Sequence, residues 1–173
     1  MLAYVFAHRH LREADQRAYE NALREFHARL ASAPPKGFVA SCTYQIAGAY
    51  SDWYLVDDSA ALDALNEAAV SGEAGAAHDI AAHMATDGVG RLQTLAAGKA
   101  DLDAPWEIRF AKPSGMSYGE LYSLLQKWTG LPGVSLWRRM MVLGPPPEFR
   151  LVAASAIDLP AGLSPEAVAR RRI

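Results

Sequence analysis

The sequence predicts an α+β protein of two tandem β-α-β-β-α repeats, and three observations carry that expectation. The stretch Gly37 to Asp57, GFVASCTYQIAGAYSDWYLVD, returns in outline as Gly133 to Ala153, GVSLWRRMMVLGPPPEFRLVA. Without a gap, Gly37 falls on Gly133, Ile46 on Val142, Gly48 on Gly144, Asp52 on Glu148, Trp53 on Phe149, Leu55 on Leu151 and Val56 on Val152. Each copy has the form of a hairpin, a β-branched and aromatic run, a Gly- or Pro-marked turn, then a second run opened by an aromatic. Before each copy stand a short strand-like run and a segment with apolar residues at helical spacing.

Taken in order, Leu2 to His8 alternates Leu2, Tyr4 and Phe6 with smaller residues, the pattern of a strand. Asp15 is placed to cap a helix in which Tyr19, Leu23, Phe26 and Leu30 recur at three- and four-residue steps until Pro34-Pro35 stops it. The first hairpin follows, then a helix capped by Asp58 or Ser59 and carrying Leu62, Leu65 and Val70. Gly75 to Gly98 is Ala-rich and reads as one or two helices broken near Gly88 and Gly90. Trp106 to Lys112 restarts the pattern as a strand, and Ser117 with Glu120 forms a capping box before a helix with Leu121, Leu124, Leu125 and Trp128. After the second hairpin, Ser164-Pro165 is expected to open a short terminal helix. The expected units are a first repeat over 1–72, an Ala-rich helical connector over 73–104 and a second repeat over 105–173. Six strands are legible where a full duplication would supply eight.

A helix on an antiparallel hairpin buries one sheet face and leaves the other needing a partner. The phase Phe38, Ala40, Cys42, Tyr44, Ile46, with Val134, Leu136, Arg138, Met140, Val142 in the second copy, is almost wholly apolar and is expected to face the helices. The opposite phase, Val39, Ser41, Thr43, Gln45 and Ser135, Trp137, Arg139, Met141, Leu143, is mixed, as a pocket or an interface would be. Arg138 is the misfit in the apolar phase, and a bulge exchanging it with Arg139 would cure that.

At 173 residues the chain is about one domain's worth, with a core available to it. A net charge of −2 speaks against a nucleic-acid binder, and the aromatic positions of the sheet are not matched by a basic field, which speaks against an RNA-recognition sheet. The basic cluster Arg170 to Arg172 reads as a helix end. Cys42 is the single cysteine, so no intrachain disulfide or thiolate cage is available and a reducing compartment fits. No apolar run approaches the roughly 20 residues that span a bilayer, and the N-terminus has no signal-peptide pattern. A soluble, cytoplasmic protein without membrane partners is expected.

This element order and duplication resemble the ferredoxin-like, dimeric α/β-barrel superfamily, in which open sheet faces meet to enclose a cavity. The superfamily includes antibiotic-biosynthesis monooxygenases, small-molecule isomerases and the haem-containing chlorite dismutases. The resemblance spans nearly the whole chain and implies two ferredoxin-like repeats, an antiparallel sheet with helices on one face, and a homodimer. It carries over no catalytic residue.

Gly115-Met116-Ser117-Tyr118-Gly119 matches the G-x-S-x-G nucleophile elbow, but no histidine follows His83 and Ser117 has work enough as a helix cap. His78 and His83 are about 140° apart on a helix, too far to chelate together, although either alone is a haem ligand of the kind a chlorite-dismutase-like arrangement would use. His8 and His10 with Asp57-Asp58 would make a metal or acid-base site if those strand ends adjoin, against the plainer reading of wet strand ends and a helix cap. Cys42, on the apolar phase, reads as a small buried side chain. Gly88-x-Gly90 follows no predicted strand and lacks the third glycine of a dinucleotide fingerprint.

The most suggestive set lies on the mixed phases: Gln45, Tyr54, Arg109, Trp137, Arg139 and Arg150. Pointed into one cavity, they would combine an aromatic wall with guanidinium groups suited to a carboxylate or phosphate. The expectation is a cofactor-independent small-molecule enzyme or binder acting on a modest aromatic or anionic compound. Tyr54 would give or take a proton, Arg109 and Arg139 would hold the anion, Trp137 would be a wall, and Gln45 and Arg150 would complete the substrate contacts. No metal and no cofactor is called for. The rival expectation is a non-catalytic module that uses its open sheet face for assembly, where Arg and Trp are equally at home.

Overall fold

A computed structural model describes residues 1–72, 74–141 and 144–173. The chain falls into two compact units, Met1–Arg91 with Arg172–Ile173, and Leu92–Arg171.

The first unit begins with β1 (Leu2–His10), α1 (Gln16–Ser32), β2 (Phe38–Ile46) and β3 (Ala49–Val56), continues through α2 (Ala61–Val70) and α3 (Gly75–His83), and ends in the first half of β4 (Ala85–Gly98). Asp15 caps α1 as its position foretells, its carboxylate accepting from the Ala18 amide at 2.7 Å. Tyr19, Leu23, Phe26 and Leu30 are the buried stripe, joined by His27. The Asp58 carboxylate accepts from the amides of Ala60 and Ala61 at the start of α2. β3 lies between β1 and β2, antiparallel to both, and the first half of β4 adds to the free edge of β1, giving the order β4-β1-β3-β2. The amide of Ile173 bonds Thr43 O on the outer edge of β2 at 3.1 Å.

The second unit takes the rest of β4, then β5 (Trp106–Phe110), α4 (Tyr118–Thr129), β6 (Val134–Arg139), β7 (Phe149–Ala153), a 3₁₀ turn at Ala161–Leu163 and the short β8 (Glu166–Ala169); β9 (Arg171–Arg172) follows and lies on the outer edge of β2. Here the order is β8-β5-β7-β6-β4. The capping box opens α4: Glu120 N–H donates to Ser117 Oγ and Ser117 N–H to Glu120 Oε2. Leu121 and Leu125 of α4 pack on Ile108, Leu136, Phe149 and Leu151, a set of fully buried side chains each worth about 1.5–3 kcal/mol against exposure.

Three expectations are corrected by the fold. Residues 85–98 are the long strand β4, not the second part of a helical stretch, and residues 166–172 are strands, not a terminal helix. Alanine's high helix propensity misled in both places. Gly88, Gly90 and the β-branched Thr86, Val89 and Thr94 disfavour a helix, and the sheet edges at β1 and β6 supply the pairing. β4, β8 and β9 are the strands that were not legible beforehand.

The third correction concerns the first hairpin's phases, which are reversed. Ser41 and Thr43, from the mixed phase, bond His27 of α1, whereas Ala40 and Cys42 register with Leu55 and Trp53 on the other face. Cys42, Tyr44, Trp53 and Leu55 are buried there, so both faces are covered and polarity does not mark the helix side. In the second hairpin the expected phase holds: Val134 and Leu136 lie in the core with α4, and Arg138 points the same way, its guanidinium 5.1 Å from the centre of the Tyr118 ring and 3.2 Å from Tyr122 OH. Arg138 therefore needs no bulge. Val142 and Leu143, also assigned a phase, lie outside the described residues.

Candidate active site in an aromatic cavity

Register builds the site in the first unit. β1 and β3 set Tyr4 opposite Tyr54, Phe6 opposite Asp52 and His8 opposite Tyr50, while β2 sets Thr43 opposite Asp52 from the other side. α1 lays Tyr19, Leu23, Phe26 and His27 over that face, and α3 adds His78 and Ala81. Two adjoining cavities result. One, of about 380 Å³, is walled by Tyr4, Phe6, Phe26, Tyr54, Leu65 and His78 among others. The second, of about 250 Å³, shares Phe6, Phe26, Tyr54 and His78 and reaches His8, Tyr19 and Asp52.

Asp52 is the polar centre. Its Oδ1 accepts from Thr43 Oγ1 at 2.6 Å and its Oδ2 from Tyr54 OH at 3.1 Å. His8 Nε2 stands 3.2 Å from Oδ2 without hydrogen-bond alignment, and Tyr19 OH bonds His8 Nδ1. Because Thr43 gives its proton to Asp52, its oxygen is free to accept from His27 Nε2 at 2.9 Å, and His27 Nδ1 meets Ser41 Oγ at 2.7 Å. Burial alone would raise the Asp52 pKa, but the imidazoles of His27 and His8, 3.8 and 3.2 Å from its oxygens, outweigh it and hold the carboxyl well below its ordinary range. The same burial, with the negative field of Asp52, pushes the hydroxyls of Tyr54 and Tyr19 well above theirs. The site is thus a fixed anion under an aromatic room.

His78 stands apart from this network. Its ring meets Phe26 edge-on at 5.4 Å, its Nδ1 is 3.3 Å from Asp79 Oδ1, and it lines both cavities while remaining partly exposed. It is an imidazole that lines both cavities and is also open to water. Haem is a poorer match for the place. Neither lining contains an arginine or lysine to pair with its propionates, so the residues present do not fit that group. Among the described residues no group of three His, Cys, Asp or Glu converges as metal ligands. His8 faces Asp52, while Asp57 and Asp58 are exposed and Asp58 caps α2.

The sequence-derived candidates are divided by the fold. Tyr54 is on the cavity wall, and Gln45 registers with Tyr50 on the same sheet of the first unit. In the second unit, register puts Arg109, Trp137, Arg139 and Arg150 on the sheet face opposite α4. There Glu107 Oε1 accepts from Arg109 Nε at 2.6 Å and from Arg150 Nε at 2.8 Å, Trp137 donates to Ser135 Oγ, and Arg139 donates to Gly144 O. Burial would raise Glu107, but Arg150 and Arg109 bring it down to about 2. Asp52, His8, His27 and Thr43 were not singled out as a set. The available signal was an aspartate in the middle of the apolar run Tyr50 to Val56, where an uncompensated charge is costly.

No protein-family model and no curated protein sequence matches the chain. Two solved structures resemble it in fold. An anthrone oxidase-like protein aligns over 99% of this chain and 91% of its own length, with a TM-score of 0.60 and 10% identity. A protein of Lactobacillus acidophilus, described provisionally as a monooxygenase, aligns over 99% and 93%, with a TM-score of 0.62 and 10% identity. At that identity the likeness is one of fold alone.

Proposed function

We propose that the first unit is the working centre of a cofactor-independent enzyme for compact, uncharged aromatic compounds bearing an ionisable hydroxyl. The observation that carries this is the hydrogen bond between Tyr54, which walls a cavity of about 380 Å³ together with Tyr4, Phe6 and Phe26, and Asp52, which lines the adjoining cavity of about 250 Å³. Aromatic walls favour a flat, apolar body, and the absence of any Arg or Lys from the lining disfavours an anion. Tyr54 donates to Asp52 in the free site and can turn that hydrogen to the compound's oxygen. His78 takes the compound's hydroxyl proton, so the compound becomes an oxyanion that Tyr54 stabilises and the imidazole becomes an imidazolium. Such an electron-rich anion is the form in which aromatic hydroxyl compounds react with dioxygen, and the names of both structural neighbours are compatible with that co-substrate.

The test is to titrate the purified protein with 2-naphthol and with anthrone, following tyrosine and tryptophan fluorescence for binding and an oxygen electrode for turnover. Saturable binding is expected, with oxygen uptake that drops at least about 100-fold in Tyr54→Phe and His78→Gln while affinity changes little. Binding of neither compound, or turnover indifferent to both substitutions, would sink the proposal.

A second reading concerns the arginine face of the second unit. Among the described residues Arg139 Nε and Arg150 Nη1 are buried donors without a hydrogen-bond partner, which favours a small carboxylate beside Arg109 and Trp137, the remaining substrate-binding candidates. Benzoate affinity lost in Arg139→Ala, with 2-naphthol binding kept, would support it. Gln45 is a candidate on the first sheet through its neighbour Tyr50.

We also infer that the two units descend from one ferredoxin-like repeat. In support, β2 and β6 are each entered through a left-handed glycine, Gly37 at φ 75° and Gly133 at φ 72°, and the orders β4-β1-β3-β2 and β8-β5-β7-β6 are the same arrangement of first, second, third and fourth strands. The homodimer and the cytoplasmic setting follow from the superfamily resemblance and from the lone cysteine; native mass spectrometry checks the former.

A further inference from the structure

Gly88 and Gly90 sit in the first half of β4, beside β1. A Cβ built on Gly88 would stand 2.6 Å from the ring tip of Phe6, and one on Gly90 would stand 2.5 Å from the hydroxyl and 2.9 Å from the ring of Tyr4. Both distances are below any real Cβ contact, so neither ring can stay where it is above a side chain at these positions. Backbone conformation does not explain the glycines, because neither adopts the left-handed φ seen at Gly37 or Gly98. Space explains them. Phe6 and Tyr4 lean over bare backbone, and both rings are walls of the cavity of about 380 Å³.

From this we infer that Gly88 and Gly90 determine which aromatic compounds the cavity admits, by letting Phe6 and Tyr4 recline and so setting its depth. The inference rests on the aromatic reading of the cavity given above. A cavity of about 150 Å³ takes one benzene ring, so the present volume suits a fused system of two or three rings. A methyl group at position 88 or 90 displaces the overlying ring toward the ligand and leaves room for one ring.

The experiment measures dissociation constants of phenol, 2-naphthol and 2-hydroxyanthracene, by fluorescence quenching, for the wild type, Gly88→Ala, Gly90→Ala and the double variant Gly88→Ala with Phe6→Leu. The three-ring to one-ring ratio of dissociation constants is expected to rise at least tenfold in each single variant and to return toward the wild-type ratio in the double variant, where the shorter side chain yields the space. Equal weakening for all three probes, an unchanged ratio, or no recovery in the double variant would overturn the inference while leaving the aromatic reading standing. A wild type that binds none of the three would remove the aromatic reading and this inference with it. If a single variant does not fold, the double variant decides: it must bind with a ratio near wild type.

Discussion

Tyr54 Oη stands 3.1 Å from Asp52 Oδ2, two residues apart on one strand and on the same face of it, and donates its hydrogen to the carboxylate. That contact joins an apolar room to a buried charge. Replacing the tyrosine by phenylalanine removes the hydroxyl and keeps the ring. Tyr54→Phe is expected to lower stability by about 1.5–3 kcal/mol, the range for a hydrogen bond to a charged group, and to abolish turnover without closing the cavity. Urea unfolding together with the naphthol titration checks both halves.

Thr43 stands between Asp52 and His27, giving one hydrogen bond and accepting another. Thr43→Val keeps the shape and deletes both, leaving a buried carboxylate oxygen and a buried imidazole short of a partner. The expected cost is about 2–4 kcal/mol, and Thr43→Ser should recover most of it. Equal stability of the valine and serine variants would show that Asp52 is held by His8 and Tyr54 alone.

Acid should unfold the protein through its buried carboxylates. Glu107 is depressed from 4.5 to about 2 in the folded state, against the pull of burial, because Arg150 and Arg109 favour its charged form. A folded pKa below the unfolded one contributes stability above about pH 4.5, and that contribution is lost as pH falls toward about 2. Asp52 is shifted in the same direction. Chemical denaturation between pH 6 and pH 2 should show stability level down to about pH 4.5 and then falling by up to about 1.4 kcal/mol per pH unit for each such group, and Glu107→Gln should make the fall shallower by one proton.

Ser117 distinguishes a cap from a nucleophile. In the structure it accepts from the Glu120 amide at 3.2 Å, and the Glu120 carboxylate reaches back to its own amide at 2.7 Å. Ser117→Ala is expected to cost about 1 kcal/mol of stability and nothing in activity. A hydrolytic activity present in the wild type and absent from the variant would restore the nucleophile-elbow reading.

How far the chain could be read without its structure depends on the distance over which each feature is decided. Asp15, the Tyr19–Leu30 stripe, the Ser117–Glu120 box and the two hairpins were legible because caps, turns and periodicity are settled within a few residues. β4 was not, since Ala85 to Gly98 has no strong local preference and becomes a strand by pairing with β1 and β6. The side of the first sheet that meets the helices was also closed to local reasoning, because both of its faces are buried and His27 of α1 supplies polar partners to Ser41 and Thr43. By itself the sequence determined the α+β class, the two hairpins, and helices α1 and α4 with their caps. Only the tertiary structure decided the site: its residues come from elements far apart along the chain, and strand register and helix packing bring residues 8, 19, 52, 54 and 78 to one cavity and set 27 and 43 beside Asp52.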